Sequence, residues 1–337
     1  MFKDFKFKDV ISKAFDAPTL RITMFGPRGV GKTTVLTSIF KDSTSGIAGS
    51  EIYMRAANEN CQLLLNYADE LSNAIEDGDP SKIPASNAED DYLFEMGILG
   101  KKPTVRLQIQ DFPGEYIDKE ANDYQKEQVR KFVNESDVII VAIDTPFLME
   151  ENGTYHKSKN DPDQVKGYML HNPEQFKGKL VLFVPLKSER YLHEGRLAQV
   201  AERLKAEYGD LKDYFITNNV ASAIVPIMSL GGMELDCLAD DPTGKVEKVG
   251  RFRIYEANPK YEPLFCSQPI YYLLSYIAAR YDYMKRRGSI LDMMKNLVMS
   301  YLTKDTRFLT QIQQMRSSII TDALGFELYT SNSIFKL

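Results

Sequence analysis

One segment limits the possible folds of this chain more than any other. Gly26–Thr34 reads Gly-Pro-Arg-Gly-Val-Gly-Lys-Thr-Thr and matches the pattern GxxxxGK[ST] at every fixed position. The apolar run Leu20–Phe25 precedes it, and a helical pattern begins at Lys32. Glycines let a backbone wrap around a polyphosphate, and the N-terminus of the following helix adds positive potential. We therefore expect a phosphate-binding loop (P-loop) between a strand and a helix.

The P-loop residues have expected places around a nucleoside triphosphate. We expect Lys32 to reach the β- and γ-phosphates, and the Thr33 hydroxyl to ligate Mg²⁺. The other nucleotide-binding positions that the pattern predicts are Gly26, Pro27, Arg28, Gly29, Val30, Gly31 and Thr34. A nucleoside triphosphate with Mg²⁺ is the expected ligand.

A second motif, Asp-Phe-Pro-Gly-Glu at residues 111–115, directly follows the apolar run Val105–Gln110. Asp111, at the end of a strand beside the P-loop, can hold Mg²⁺ through water. Gly114 can offer its backbone N–H to the γ-phosphate, and hydrolysis removes that contact. A DxxG sequence alone is more often an ordinary turn, but its place after a P-loop and at a strand end favours a nucleotide sensor.

The apolar runs predict a sheet that is buried on both faces. The expected strands are Leu20–Phe25, Val105–Gln110, Val138–Ile143, Leu180–Val184 and Ala223–Met228. Tyr92–Leu99 alternates more and predicts an antiparallel edge strand. The helical patterns are Lys32–Phe40, Ile52–Ile75, Asp118–Asn134, Arg196–Tyr208 and Pro269–Tyr283. Such alternation predicts a doubly wound α/β fold, mostly parallel with one antiparallel edge strand.

We expect three parts along the chain: an N-terminal arm at 1–17, a P-loop domain at 18–284 and a helical C-terminal extension at 285–337. The domain has insertions at about 51–89 and 231–268, and the second of these predicts a short hairpin near Arg251–Tyr255. The extension reads as two amphipathic helices, Ser289–Leu302 and Thr306–Leu324, with Asp305 placed to cap the second.

Composition narrows the classes of function. A net charge of −5 with scattered Lys and Arg argues against nucleic acid as a partner. Three widely spaced cysteines without a CxxC pair predict reduced thiols and a cytoplasmic protein. No apolar run approaches the ~18 residues of a membrane span. Alternating Phe and Lys at the N-terminus favour a docked arm, with peripheral membrane contact as the alternative.

Gly26–Thr34 and Asp111–Gly114 resemble the phosphate and Mg²⁺ motifs of the TRAFAC class of P-loop GTPases, which includes Ras-like and translation-factor enzymes. The resemblance covers about Leu20–Tyr283 as an order of strands and motifs, and it does not reach the C-terminal helices. In overall layout the chain is similar to the larger bacterial GTPases of multi-gene defence or conflict systems. The resemblance implies a molecular switch that uses GTP as substrate and Mg²⁺ as cofactor.

In the TRAFAC class an Asn-Lys-x-Asp motif recognises guanine. Here Leu180–Val184 leads to Pro-Leu-Lys-Ser-Glu, so Lys187 and Glu189 keep the Lys-x-acid spacing while Leu186 replaces Asn. The resemblance implies that Lys187 packs over the base and that Glu189 accepts hydrogen bonds from it. The missing Asn removes a tether to the P-loop. A solvated polar loop is the alternative.

The run Ala223–Met228 ends at Ser229 and Leu230, where the class places a loop whose backbone N–H meets the guanine oxygen. We therefore count Ser229 and Leu230 among the nucleotide-binding positions. The altered base motif also leaves room for ATP in place of GTP.

Four residues are the candidates for hydrolysis: Lys32, Gly114, Glu115 and Arg28. Glu115 follows the switch glycine, where Ras-like enzymes have a Gln that orients water, and the alternative is a solvated switch residue. Arg28 stands where a glycine is usual, and it could stabilise charge in cis, obstruct an arginine finger or face solvent.

The Mg²⁺ ligand of the first switch should lie just before Tyr92–Leu99. This favours Ser86, with Ser81 and Thr44 behind it.

The sequence thus predicts a GTP-hydrolysing switch that binds GTP or GDP and signals to a protein partner through its switch loops or C-terminal helices. Two alternatives remain: an ATPase of the P-loop type, and a nucleotide-dependent binding module with little hydrolysis.

Overall fold

The computed structural model describes residues 17–44, 46–47, 49–79, 90–117, 120–170, 176–244, 246–255, 259–286 and 305–330. Within these residues the chain forms an eight-stranded sheet in the order β10-β7-β6-β5-β1-β4-β3-β2 and a separate hairpin, β8-β9. The expected N-terminal arm, apart from Ala17, and the expected helix Ser289–Leu302 lie outside the described residues.

The strands are β1 (Thr19–Phe25), β2 (Ile52–Ala56), β3 (Asp90–Ile98), β4 (Val105–Asp111), β5 (Val138–Asp144), β6 (Leu180–Leu186), β7 (Ala221–Ile224), β8 (Met233–Asp240), β9 (Lys248–Ile254) and β10 (Glu327–Thr330). The helices are α1 (Lys32–Thr44), α2 (Asn60–Glu76), α3 (Asp123–Glu135), α4 (Thr145–Met149), α5 (His156–Lys159), α6 (Pro162–Leu170), α7 (Glu189–His193), α8 (Leu197–Glu207), α9 (Asp210–Thr217), α10 (Gln268–Arg286) and α11 (Thr306–Met315). Turns of 3-10 helix cover Gly114–Ile117, Glu150–Gly153 and Arg316–Ser318.

The centre of the sheet is parallel: β1 pairs with β4 and β5, β5 pairs with β6, and β6 pairs with β7. Every residue of β5 and β6 is buried. Alternate residues of these strands enter opposite cores, one of which contains residues of α1, α10 and α11 and the other residues of α3, α6, α8 and α9. The predicted doubly wound α/β fold is therefore confirmed, because helices cover both faces of a mostly parallel sheet.

The predicted edge strand Tyr92–Leu99 corresponds to β3, which runs antiparallel to β4 as expected. The prediction that it lies at the edge is wrong, because β2 pairs with its other side. The prediction of a helix over Ile52–Ile75 is wrong for its first residues, which form β2. Ile52 and Met54 are buried with the two-residue period of a strand, and the helix begins only at Asn60.

Asn58 explains the change from β2 to α2. Its side-chain amide donates to the carbonyl oxygen of Asp91 at 2.7 Å, and its side-chain oxygen accepts from the backbone N–H of Leu93 at 3.1 Å. These bonds attach the turn to β3, so the strand stops before the helical pattern begins.

The predicted helix Thr306–Leu324 is too long, since α11 ends at Met315. The predicted cap is confirmed: the Asp305 carboxylate accepts from the backbone N–H of Phe308 at 3.1 Å. Beyond the helix, Gly325 adopts φ +73°, and the chain then forms β10, antiparallel to β7. The C-terminal segment is therefore not purely helical, and it adds an edge strand to the main sheet.

The second insertion forms the predicted hairpin, β8-β9. It packs through Met233 against α2 and the loop after β7, in a small apolar cluster with Leu71, Ile75, Leu230 and Tyr261. The hairpin thus lies beside the loop that contains Leu230, which is one of the predicted base-recognition segments. No helix among the described residues is long and apolar enough to span a membrane.

Candidate functional site: the carboxyl edge of the central strands

The P-loop connects β1 to α1 in a conformation that depends on glycine. Gly29 and Gly31 have φ values of +70° and +109°, which residues with a β-carbon rarely adopt. A β-carbon at Gly26 would lie 2.9 Å from the carbonyl oxygen of Ala142 on β5. The predicted glycines are therefore required by backbone shape and by close packing against β5.

The first two polar residues of α1 both contact neighbouring segments of the site. The Lys32 ammonium donates to the carbonyl oxygen of Gly26 at 3.0 Å, so its side chain folds back over the loop. The Thr33 hydroxyl donates to Oδ2 of Asp111 at 2.8 Å. Parallel pairing explains this contact, because Asp111 is the register partner of Met24, close to the end of β1.

The oxygens of Thr33 and Asp111 suit Mg²⁺. In nucleotide sites this ion takes one or two protein ligands and completes its octahedron with phosphate and water. Within the described part of the chain, no group of three or more His, Cys, Asp or Glu residues could hold a metal ion on its own. The Thr33 hydroxyl and the Asp111 carboxylate are thus two oxygen donors of the kind that Mg²⁺ takes from a protein.

Gly114 lies directly on the P-loop. A β-carbon there would come within 2.1 Å of the backbone nitrogen of Arg28 and 2.5 Å of its Cα. Glu115 follows in the same 3-10 turn, and its carboxylate lies 3.1 Å from the Arg28 guanidinium. The two predicted residues Arg28 and Glu115 thus contact each other. The positive charge of Arg28 offsets the negative charge of Glu115, which would otherwise repel a phosphate.

Ser86 and Ser81, the first choices for the Mg²⁺ ligand of the first switch, lie outside the described residues. Thr44, the third choice, is the last residue of α1.

The predicted base-recognition lysine reaches the P-loop. Lys187 has φ +58°, and its ammonium donates to the carbonyl oxygen of Gly29 at 3.1 Å. It also donates to Oδ2 of Asp144 at 2.6 Å. The ring centre of Phe252, on the hairpin strand β9, lies 5.8 Å from the same nitrogen. Lys187 therefore joins the loop after β6, the P-loop and the end of β5.

Glu189 and Leu230, predicted on separate loops, meet in the structure. The Glu189 side chain is buried, and Oε1 accepts from the backbone N–H of Leu230 at 2.7 Å. Its other oxygen, Oε2, is buried and has no hydrogen-bond partner among the described residues. Burial raises the pKa of the Glu189 carboxyl from its ordinary value of 4.5 to about 7. The Ser229 carbonyl faces α1, where the Ser38 hydroxyl donates to it at 3.4 Å.

Four further residues contact the site but belong to none of the motifs that the sequence predicts. Lys159 donates to the carbonyl oxygen of Arg28 at 2.8 Å, and the Tyr67 hydroxyl lies 3.2 Å from that of Thr34. Asp144 holds Lys187, and Asn160 holds the backbone of Asp144. A signal existed only for Asp144, which ends a parallel strand adjacent to the P-loop strand, where ligands bind in this type of sheet.

A family model described as Double-GTPase 2 matches residues 20–226 of the 337. No curated protein sequence matches the chain.

Among solved structures, the S. cerevisiae Ski7 GTPase-like domain bound to GDP and inorganic phosphate is 16% identical, with a TM-score of 0.40. That match covers 75% of this chain and 50% of the Ski7 chain, so the chain spans half of that relative's length. The FeoB G-domain from Methanococcus jannaschii is 13% identical with a TM-score of 0.30, over 63% of this chain and 87% of that one.

Substitution of Gly114 by alanine should destabilise the fold. The three atoms nearest to the new β-carbon all belong to the P-loop backbone, so either the loop or the 3-10 turn must move. We expect Gly114→Ala to lower the free energy of unfolding by about 1–3 kcal/mol, measured by denaturant titration. Gly167→Ala is the matched control, because its β-carbon meets nothing within 4 Å in α6, and it should be neutral or stabilising. Equal losses in both variants would contradict the close contact.

Glu189 should make stability depend on pH. Its carboxyl has a higher pKa in the folded protein than in the unfolded chain, so the folded state binds the proton more tightly. This stabilisation is complete below pH 4.5, decreases as pH rises and is lost at about pH 7. We expect the unfolding free energy of the wild type to fall over this window relative to that of Glu189→Gln. Parallel pH profiles for the two proteins would show that burial does not raise this pKa.

Proposed function

The chain belongs to the Double-GTPase 2 family, and we propose that it binds GTP with Mg²⁺ at Gly26–Thr34 and hydrolyses it to GDP and inorganic phosphate. The observation that carries this proposal is the 2.8 Å hydrogen bond between Thr33 and Asp111. It brings the hydroxyl of the P-loop to the acidic residue of the DxxG segment. Packing alone would not require a hydroxyl and a carboxylate side by side at this edge of the sheet.

The phosphates would lie over the N-terminus of α1. Backbone N–H groups of the P-loop and the positive end of that helix would bind their oxygens. Lys32 would leave the Gly26 carbonyl, which it now contacts at 3.0 Å, and turn to the β- and γ-phosphates. Mg²⁺, held through Thr33 and Asp111, would neutralise charge on the β- and γ-phosphate oxygens.

Arg28 and Glu115 would act on the reacting group. In hydrolysis, a water oxygen bonds to the γ-phosphorus, and the bond from that phosphorus to the β–γ bridging oxygen breaks with its electrons on GDP. One proton of the water stays on the attacking oxygen, and the other passes to an oxygen of the released phosphate. Glu115 would orient this water, and Arg28 would offset the carboxylate charge and face the phosphate. Their side chains are 38% and 66% exposed, so their ion pair is weak and both can turn when nucleotide binds.

The base would be recognised by Lys187, Glu189 and the Leu230 loop. Glu189 already accepts from the Leu230 backbone, and its free oxygen is a buried acceptor for which guanine supplies the N1–H and 2-amino donors. Adenine lacks both donors. A buried acceptor that stays unpaired costs free energy, so a site of this kind favours the base that pairs with it.

The contact between Gly114 and the P-loop supports a switch. Because the DxxG segment rests on the Arg28 backbone, a γ-phosphate at the P-loop would displace or reorder it. We propose that a protein partner distinguishes these two positions of the segment.

Removal of the Thr33 hydroxyl should abolish most of the hydrolysis. Thr33→Ala deletes a Mg²⁺ ligand while leaving the helix intact, and we expect GTP turnover to fall by about a hundredfold or more. The measurement is phosphate release at saturating GTP and Mg²⁺. Thr37→Ala is the control, since Thr37 lies one helical turn further along α1 and its hydroxyl has no hydrogen-bond partner in the described residues.

Other results of this assay would favour the alternatives. Turnover of ATP equal to that of GTP would contradict the assignment to GTP and indicate a P-loop ATPase. Tight GTP binding without phosphate release, in wild type and Thr33→Ala alike, would indicate a binding module.

A further inference from the structure

Lys187 is held from β5 as well as from the P-loop. Its ammonium lies 2.6 Å from Oδ2 of Asp144, and the Asp144 side chain is 1% exposed against 18% for that of Lys187. A long lysine side chain has many rotamers, and two fixed acceptors restrict it to one position. The carboxylate is therefore the rigid member of this pair, and the amine is the member that it orients.

Asp144 is fixed in turn by Asn160. The Asn160 side-chain oxygen accepts from the backbone N–H of Asp144 at 2.7 Å, and its amide donates to the Asp144 carbonyl oxygen at 3.0 Å. Asn160 is itself 1% exposed. The end of β5 is thus bound on both backbone polar groups, which sets the direction of the carboxylate.

A second contact links the same two segments one residue further along each. The hydroxyls of Thr145 and Ser188 lie 2.9 Å apart and are both buried. Leu186, which precedes Lys187, is buried and carries no side-chain donor or acceptor. The position of the Lys187 loop therefore depends on polar contacts to the end of β5.

This pair is poorly explained by stability alone. Burying a carboxylate is costly, and a buried ion pair with imperfect hydrogen bonding gains little overall. Oδ1 of Asp144 is buried and has no hydrogen-bond partner among the described residues. A costly buried charge beside the P-loop is better explained by the lysine that it places.

We propose that Asp144, oriented by Asn160, is the positioning residue that sets Lys187 against the P-loop so that its side chain can pack on the nucleotide base. The proposal rests on the proposed function, since it assumes that Lys187 contacts a purine. It adds the end of β5 and Asn160, the residue directly after α5, to the base-recognition site. Neither belongs to a known base-recognition motif.

A double-mutant cycle on the full chain tests this role. GTP, GDP and inorganic tripolyphosphate are titrated calorimetrically in Mg²⁺ into the wild type, Asp144→Asn, Lys187→Met and the double variant. ATP is titrated into the wild type and Lys187→Met to measure the preference for guanine. We expect each single change to weaken GTP and GDP by about tenfold or more, since a charge-assisted contact is lost. The double variant should be no weaker than Lys187→Met alone, because both changes remove one interaction. Tripolyphosphate, which has no base, should bind all four proteins equally.

Asp137→Asn is the matched control. Asp137 lies just before β5, at the opposite end of that strand, where its carboxylate accepts from the backbone N–H of Arg21 at 3.1 Å. Its removal should leave all three affinities unchanged. Lys187 is partly exposed and can turn to solvent in Asp144→Asn, so no buried cation is stranded. Asp144→Ser, measured in the same way, is the second variant if Asp144→Asn does not fold.

The outcomes separate the two proposals. If the wild type prefers GTP and Lys187→Met weakens it while both Asp144 variants bind like wild type, the positioning role is wrong and the proposed function stands. If the Asp144 variants lose affinity for tripolyphosphate as much as for GTP, Asp144 supports the P-loop itself, which also overturns the positioning role. If Lys187→Met has no effect and GTP is not preferred over ATP, the proposed base recognition fails.

Discussion

The parallel pairing of β1 with β4 on one side and β5 on the other is the constraint on which the whole site depends. It sets Met24 level with Asp111 and Phe25 level with Val141, so three strand ends reach the same edge of the sheet. The P-loop leaves from the middle strand of the three. Each neighbour ends in an aspartate, and each aspartate contacts a residue of the phosphate or base segment. A shift of one residue in either pairing would separate these groups, because side chains alternate between faces.

The site also concentrates buried carboxylates. Asp111, Asp144 and Glu189 are all buried at the carboxyl edge, and each has a partner that differs in kind: a hydroxyl, an ammonium and a backbone N–H. Proteins bury such charges at a cost in stability, and the cost is offset only where the partners are well placed. In this chain the three partners belong to the P-loop, the Lys187 loop and the Leu230 loop. The same contacts that satisfy the carboxylates therefore fix the geometry of the nucleotide-binding edge.

The sequence could predict what depends on local pattern. The P-loop and its flanking elements follow from nine neighbouring residues, and β5 and β6 follow from unbroken apolar runs. Two short strands were not predicted: β2 lies within a segment whose pattern predicts a helix, and β10 lies beyond the last predicted helix, in an extension expected to be helical. Four or five residues carry little periodicity.

Contacts between distant residues were beyond prediction. Lys187 and Asp144 are 43 residues apart, and Arg28 and Lys159 are 131 apart, with no spacing that signals either pair. Glu189 illustrates the limit in another way. Its place in the motif was visible. Its hydrogen bond to the Leu230 backbone, and the packing of Leu230 with Met233 of the hairpin, have no sequence signature.

The most direct test of the account is the preference of the wild type for GTP over ATP, measured by calorimetry in Mg²⁺ at about pH 8, where Glu189 is ionised. We expect GTP to bind more tightly than ATP by about tenfold or more, and Glu189→Gln to remove most of this preference while leaving the affinity for ATP unchanged. ATP binding as tight as GTP binding, with the variant indistinguishable from wild type, would contradict guanine recognition at this edge of the sheet.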